Sequence, residues 1–218
     1  MMILIPVKNL SSAKQRLASV LDQSLRTELA QAMLSDVFNT LSAWRECPRV
    51  GVVTSDPFAT ELAHSFHYEV ISDDTCRSET DAIEIATRLC EQRGIQSTLV
   101  IPGDIPLITV SELDQILEAA PEEGTVLVSS ADKRGTNAAF RSPAGLFPLR
   151  FGNDSFKPHL AAAQATGKPC AALSLPGIAL DIDTPSDLRQ LATAPGNTRA
   201  QRMARRWDLS ELPVAANG

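Results

Sequence analysis

Met2 to Val7 form an unbroken apolar run, and no other feature limits the fold of this chain so tightly. A strand with one wet face alternates apolar and polar residues. A continuous run belongs to a strand buried on both faces, as in a parallel sheet covered by helices. Val50 to Thr54 and Thr98 to Pro102 repeat the pattern. Thr125 to Ser129 and the shorter Glu69 to Ser72 also read as strands. Between them, Leu25, Leu29, Ala32, Met33, Val37 and Leu41 recur at helical spacing, with Asp22 or Ser24 available as a cap. Asp56-Pro57 opens a second helix to about Phe66, with Asp at the N-cap and Pro at the first helical position. Thr80 to Glu91, the segment from Ser111 through Leu117, and Ser155 to Thr166 read as further helices. Asn137 to Arg150 reads as strand and turn, and Cys170 to Leu175 and Ala179 to Ile182 as extended. Pro185 opens a last helix, Ser186 to Leu191. The alternation predicts an α/β fold: a Rossmann-like, mostly parallel sheet with helices on both faces.

That domain is expected over residues 1–193. An Arg-rich C-terminal tail, 194–218, follows, with Arg199, Arg202, Arg205 and Arg206. It reads as a solvated or frayed terminal helix, with a docking arm as the alternative. The formal net charge of −6 argues against a nucleic-acid partner, yet leaves room for a local basic cluster that takes small anions. Cys47, Cys76, Cys90 and Cys170 contain no C-x-x-C pair, so reduced cytoplasmic thiols fit better than disulfides or zinc. The apolar run at the N-terminus is too short to span a bilayer and lacks a signal peptide's features; no membrane association is expected.

In parallel sheets the ligand crevice lies at the carboxyl ends of the strands. That rule selects Lys8, Asp56, Asp104 and the pair Asp181/Asp183. If Asp181-Ile182-Asp183 is a strand, its two carboxylates share a face. They then repel each other unless a cation sits between them, and magnesium prefers such oxygen ligands. Helix capping before Pro185 is the competing account of Asp183. Asp104 stands between Pro102 and Pro106, which would fix its turn. Lys8, Lys14 and Arg16 could surround a triphosphate without a Walker loop. Lys133 to Asn137 and Arg150 to Phe156 each place Gly near a basic residue and a hydroxyl, which suits a phosphate or carboxylate, or simply a turn. His64, His67 and His159 show no ligand spacing and read as surface or helix residues.

The stretches PVKNLSSAKQRL, PGDIPL, KRGTNAAF, FPLRFGNDSF and LPGIALDIDTPSDL, across residues 2 to 192, resemble the CofC/FbiD guanylyltransferases of deazaflavin coenzyme F-420 biosynthesis. The resemblance implies a nucleotidyltransferase fold of the type found in the molybdenum-cofactor guanylyltransferases. It also implies attack by a three-carbon phospho-acid on the α-phosphorus of GTP. The acceptors of that family are 2-phospho-L-lactate, phosphoenolpyruvate or 3-phospho-D-glycerate. By motif, Asp104, Asp181 and Asp183 would hold Mg²⁺, with Asp104, Asp183 and Lys14 catalytic. Lys8, Lys14, Arg16 and Asp81 would face the nucleotide, and Thr136, Gly152 and Ser155 the acceptor's carboxylate. Hand-off of the product to a downstream transferase is implied, and a homodimer is compatible with the sequence. Residues 73–83 depart from the pattern. Their glycines are missing, Asp81 replaces the usual Asn, and Arg77 is placed to offset it or read the acceptor. A related nucleotidyltransferase with another nucleotide or acceptor, and a non-catalytic nucleotide-binding module, are the alternatives.

Overall fold

The computed structural model describes residues 1–73, 78–152 and 154–207. Among them, seven strands form one sheet: Met2–Pro6 (β1), Arg49–Val53 (β2), Glu69–Ile71 (β3), Thr98–Val100 (β4), Gly124–Ser129 (β5), Thr136–Ser142 (β6) and Cys170–Leu173 (β7). Their order is β3-β2-β1-β4-β6-β5-β7. All neighbours are parallel except β6, which runs antiparallel to both β4 and β5. Strands β1, β2 and β4 carry the apolar runs expected of a doubly covered sheet, and both faces are covered. Ile3, Ile5, Val50 and Val52 point into one core, Met2, Leu4 and Val53 into the other. This is the two-residue period of a pleated strand.

The larger core receives Gln23–Ala43 (α1), Pro57–Ser65 (α2) and Val110–Ala119 (α4). The smaller one receives Glu79–Gln92 (α3) and Phe156–Ala165 (α5). The expected caps form: Asp22 accepts from the Leu25 N–H, and Asp56 from the Ala59 N–H. Helix α4 starts at Val110, one residue before Ser111, because Thr109 as its N-cap makes a reciprocal capping box with Glu112. Asp56 is fully engaged in structure, since its other oxygen accepts from the Leu10 N–H at 2.9 Å and ties down the loop after β1. It is therefore no ligand in the crevice.

Two expectations are corrected. Ala179 to Ile182 is not a strand. Pro176–Ala179 forms a single helical turn (α6), and residues 180–183 carry no regular secondary structure. Pro176 starts that turn, and the Gly177 N–H donates to Glu112. A Cβ on Gly177 would run into the Leu107 carbonyl, so only glycine permits this approach. The second correction concerns the tail. After Pro185–Thr193 (α7), residues Arg199–Ala204 form α8, which packs on α1 and α7. Ala200, Gln201 and Ala204 are fully buried. The arginines misdirect the reading: they lie on the wet side of a helix whose small residues enter the core. Residues 208–218 of the tail lie outside the described residues.

Helix α8 also explains why α1 is buried on several sides. Asp36 of α1 accepts from the Arg199 and Ala200 N–H groups at 2.9 and 2.8 Å, capping α8 from a distant element. Asp36→Ala leaves both donors without this acceptor and should cost about 2 kcal/mol. For a chain of this size that lowers Tm by roughly 4–8 °C. An unchanged melting curve would show that α8 is not held this way.

Candidate active site

The chain leaves β1 at Pro6 through two 3-10 turns, Leu10–Ser12 and Gln15–Leu17. Lys14 lies between them in the left-handed region, with φ 56°, which is uncommon for a side-chain-bearing residue. Its side chain is only 8% exposed. The ammonium donates to the Asp104 carboxylate and, at 2.8 Å, to Asp183 Oδ1. Burial alone would push its pKa down, but the two carboxylates outweigh burial and hold it above the usual lysine value. Lys14 is thus a permanent cation. Arg16 approaches Asp183 from the open side, with Nη1 3.6 Å from Oδ2. Lys8 donates to buried Asp73 at 3.1 Å.

Asp104 follows β4, where a parallel sheet presents its crevice. Its carbonyl accepts from the Ile182 N–H at 3.3 Å, which ties the two acidic segments together. Ile182 is fully buried, while Asp181 and Asp183 flank it and both line the cleft. The shared placement expected of a strand is therefore achieved by an irregular linker anchored to Asp104. Capping of α7 falls to Thr184, in a reciprocal box with Asp187. The Asp183 side chain is left to Lys14 and Arg16, which outweigh burial and keep its carboxyl below the usual range. Asp181 is the opposite case. Burial, then the Asp104 charge, raise its carboxyl to about 6, against the Asn137 amide that donates to it at 2.9 Å.

The antiparallel β6 builds the other end. Because it is reversed, its first residues lie beyond the carboxyl end of β4, whose Val100 pairs with Ala139. That puts Thr136 and Asn137 in the crevice. The Thr136 N–H donates to Ser155 Oγ at 3.1 Å, and both hydroxyls are buried at the cleft wall. Gly152, at φ 141°, also lines the cleft, and a Cβ there would meet nothing within 4 Å. Arg134 and Asp154 form a two-pronged ion pair at the exposed rim.

Two clefts result. One of about 630 Å³ is lined by Arg16, Thr136, Gly152, Ser155, Asp181 and Asp183, among others. The other, of about 430 Å³, holds Lys8 and Lys14 against apolar residues of α1. Glu79, Pro102, Asp104 and Asp183 line both. Asp81 lines neither. It lies in the first turn of α3, its N–H donating to Ser78. Arg77 and Asn153 fall outside the described residues.

Sequence reasoning missed three residues. Glu79 is raised to about 7, by burial first and then by Asp104, against the pull of Lys8 and Lys14. Its place at a helix start gave no signal. Asn137 sat within a quoted motif but was read as strand. His159 was read as a surface or helix residue; it does lie in a helix, α5, but buried, and a buried histidine needs partners that spacing alone does not reveal.

The carboxylates meet one test for a divalent cation. Asp104 Oδ1 is buried with no hydrogen-bond partner among the described residues, beside two further carboxylates. Hard cations take such oxygens. With Lys14 between Asp104 and Asp183, however, no three Asp, Glu, His or Cys side chains among the described residues form a ready metal cage. The arrangement is an open one, needing further oxygens from a ligand.

Burial, then Arg141, hold the His159 imidazole down at about 4. Its unfolded-state value is near 6.5, so between those values the unfolded chain binds the extra proton. The His159 contribution to stability should therefore be level above about pH 7 and fall as pH drops from roughly 6.5 toward 4, by on the order of 3 kcal/mol, while the raised Glu79 and Asp181 carboxyls act in the opposite direction in both proteins. In His159→Gln that part of the loss should vanish. Parallel Tm-versus-pH curves for the two proteins would contradict it.

Comparison with known proteins agrees with this architecture. The family model for "Guanylyl transferase CofC like" matches residues 1–213. The phosphoenolpyruvate guanylyltransferase of Sphaerobacter thermophilus is 34% identical over 189 residues, 86% of this chain and 90% of that protein. The 3-phospho-D-glycerate guanylyltransferase of Colwellia psychrerythraea is 32% identical over 190 residues, 87% of this chain and 90% of that one. Among solved structures, a protein of Desulfovibrio desulfuricans G20 described as a nucleotide-diphospho-sugar transferase superposes with a TM-score of 0.78. It covers 94% of both chains at 16% identity, a likeness of fold. No helix among the described residues is long and apolar enough to cross a membrane. By sequence over nearly its whole length, this chain belongs to the CofC-like guanylyl transferase family.

Proposed function

We propose that this enzyme is a magnesium-dependent guanylyltransferase in F-420 biosynthesis. It joins GTP to a three-carbon phospho-acid, which is phosphoenolpyruvate, 3-phospho-D-glycerate or 2-phospho-L-lactate. The products are a guanosine diphospho-acid and pyrophosphate. One observation carries the reading: a buried, permanently charged Lys14 pinned by Asp104 and Asp183 where the cleft that holds Lys8 meets a hydroxyl-lined one. Relatives named for two of these acceptors support it.

A bond forms between an acceptor phosphate oxygen and the α-phosphorus of GTP. The bond from that phosphorus to the β-phosphate oxygen breaks, and pyrophosphate leaves with the electron pair. The acceptor phosphate is already ionised, so no general base is required. The task left to the protein is to align two anions and offset their repulsion. Lys8, Lys14 and Arg16 face the triphosphate. The Thr136 and Ser155 hydroxyls and the Gly152 backbone take the acceptor's carboxylate. Asp104, Asp181 and Asp183 would hold magnesium, and the chemistry magnesium supplies when bound is neutralisation of phosphate charge. Glu79, at the junction of the clefts, lies nearer that point than Asp81. The mixed diphosphate is labile, which favours direct hand-off to a downstream transferase in the cytoplasm; co-purification with that enzyme tests this.

Pyrophosphate release with GTP, Mg²⁺ and each acid in turn should occur with one acid, and not with ATP. Chelation by EDTA should stop it. No release with any acid, from folded protein, would favour another acceptor or a binding module. Asp183→Asn should lower kcat by about 10²–10³ while Tm stays within a few degrees; retained turnover would remove Asp183 from the chemistry. Asp81→Asn should raise KM for GTP if Asp81 touches the nucleotide, and unchanged GTP kinetics would exclude that role.

A further inference from the structure

His159 belongs to neither cleft lining, yet it touches both segments proposed to bind the acceptor. Its Nε2 lies 2.7 Å from the Arg150 backbone nitrogen. That nitrogen can only donate, so Nε2 carries the lone pair and the ring proton is on Nδ1. Nδ1 lies 2.9 Å from Thr136 Oγ1 and donates to it. The Thr136 hydroxyl thus receives a hydrogen, and its own hydrogen must go elsewhere. Ser155 Oγ receives the Thr136 N–H and lies 3.5 Å from Thr136 Oγ1. Two N–H donors therefore feed this pair of hydroxyls. The pair can use one of its own two hydrogens between its oxygens, and among the described residues the other has no acceptor except in the cleft that both line.

We infer that His159 is a positioning residue: by donating from Nδ1 it turns the Thr136–Ser155 hydroxyl pair into a hydrogen donor aimed at an anionic group of the acceptor. With the other tautomer, Nδ1 would accept from Thr136 and take the hydrogen away from the ligand. Its neutral, buried state suits the role, since a protonated ring would break the bond from Arg150. The same bond holds the backbone two residues before Gly152, and the Phe151 ring packs edge-on against the imidazole at 5.4 Å. Ring and loop are thus fixed together. The inference rests on the proposal that Thr136 and Ser155 meet the acceptor.

The test is a kinetic cycle with wild type, Thr136→Val, His159→Gln and the double variant, using GTP and whichever phospho-acid is turned over. His159→Gln keeps an acceptor near the Nε2 position and loses the donor to Thr136. It should raise the acceptor's KM about tenfold, the loss of one hydrogen bond, with KM for GTP within twofold. His159→Asn, whose amide can donate from the Nδ1 position, should recover most of that loss. The double variant should be no worse than Thr136→Val alone. Additive effects, equal losses for Gln and Asn, or parallel rises in both KM values would overturn the inference. If Thr136→Val leaves the acceptor's KM unchanged, the acceptor reading itself fails, whatever His159 does. Imidazole ¹⁵N NMR of the wild-type protein at pH 7 gives a check independent of activity and of variant folding. A proton on Nδ1 is expected, and a proton on Nε2 would refute the proposal.

Discussion

The ammonium of Lys14, buried between Asp104 and Asp183, is the contact on which the site depends. Charges removed from water need partners, and the loss of one leaves the others uncompensated. Here one cation joins three parts of the chain: the loop after β1, the loop after β4 and the linker after α6. Strands β1 and β4 are neighbours, so their following loops open the crevice that parallel sheets offer to ligands. The acidic linker is brought there by its own backbone bond to Asp104. One lysine cannot balance Asp104, Asp181 and Asp183. The Asp181 carboxyl is raised by burial first and then by the Asp104 charge, and one Asp104 oxygen has no hydrogen-bond partner among the described residues.

The reversal of β6 is the second constraint. A parallel strand in its place would enter the sheet at the far end and send its first residues away from the crevice. Running backwards, β6 starts at the site with Thr136 and Asn137, both of which line the cleft. Asn137 holds Asp181 on the acidic side. Thr136 faces the hydroxyl side, supported by His159 from α5. The two clefts are thus built from opposite halves of the sheet and meet at Asp104.

Much of this was legible in the residues. Apolar runs marked the buried strands, because a strand covered on both faces has no wet side to encode. Asp56-Pro57 and Asp22 marked helix starts, because capping is a local event. The position of Asp104 just after an apolar run was enough to place it in the crevice. Asp181 and Asp183 line the cleft as expected but by another route: buried Ile182 between them is tied to Asp104 by a backbone bond instead of a sheet ladder. Lys14 was named as a phosphate contact from its loop, and the carboxylates that bury it come from about 90 and 169 residues away. The tail was misread for a related reason. Four arginines dominate its charge, whereas the packing is carried by Ala200 and Ala204 and by an Asp36 cap far away in the chain.

The sequence alone therefore determined the class of fold, the family and the acids and bases from which the site is made, since strand burial, helix capping and motif identity are local properties. The tertiary structure decided which charges neutralise one another, that Asp56 is structural, that Glu79 stands between the clefts, and which nitrogen of His159 bears the proton. Those depend on contacts between segments far apart in the chain, and on burial, which gives a charge or a hydrogen its direction only after the fold has excluded water.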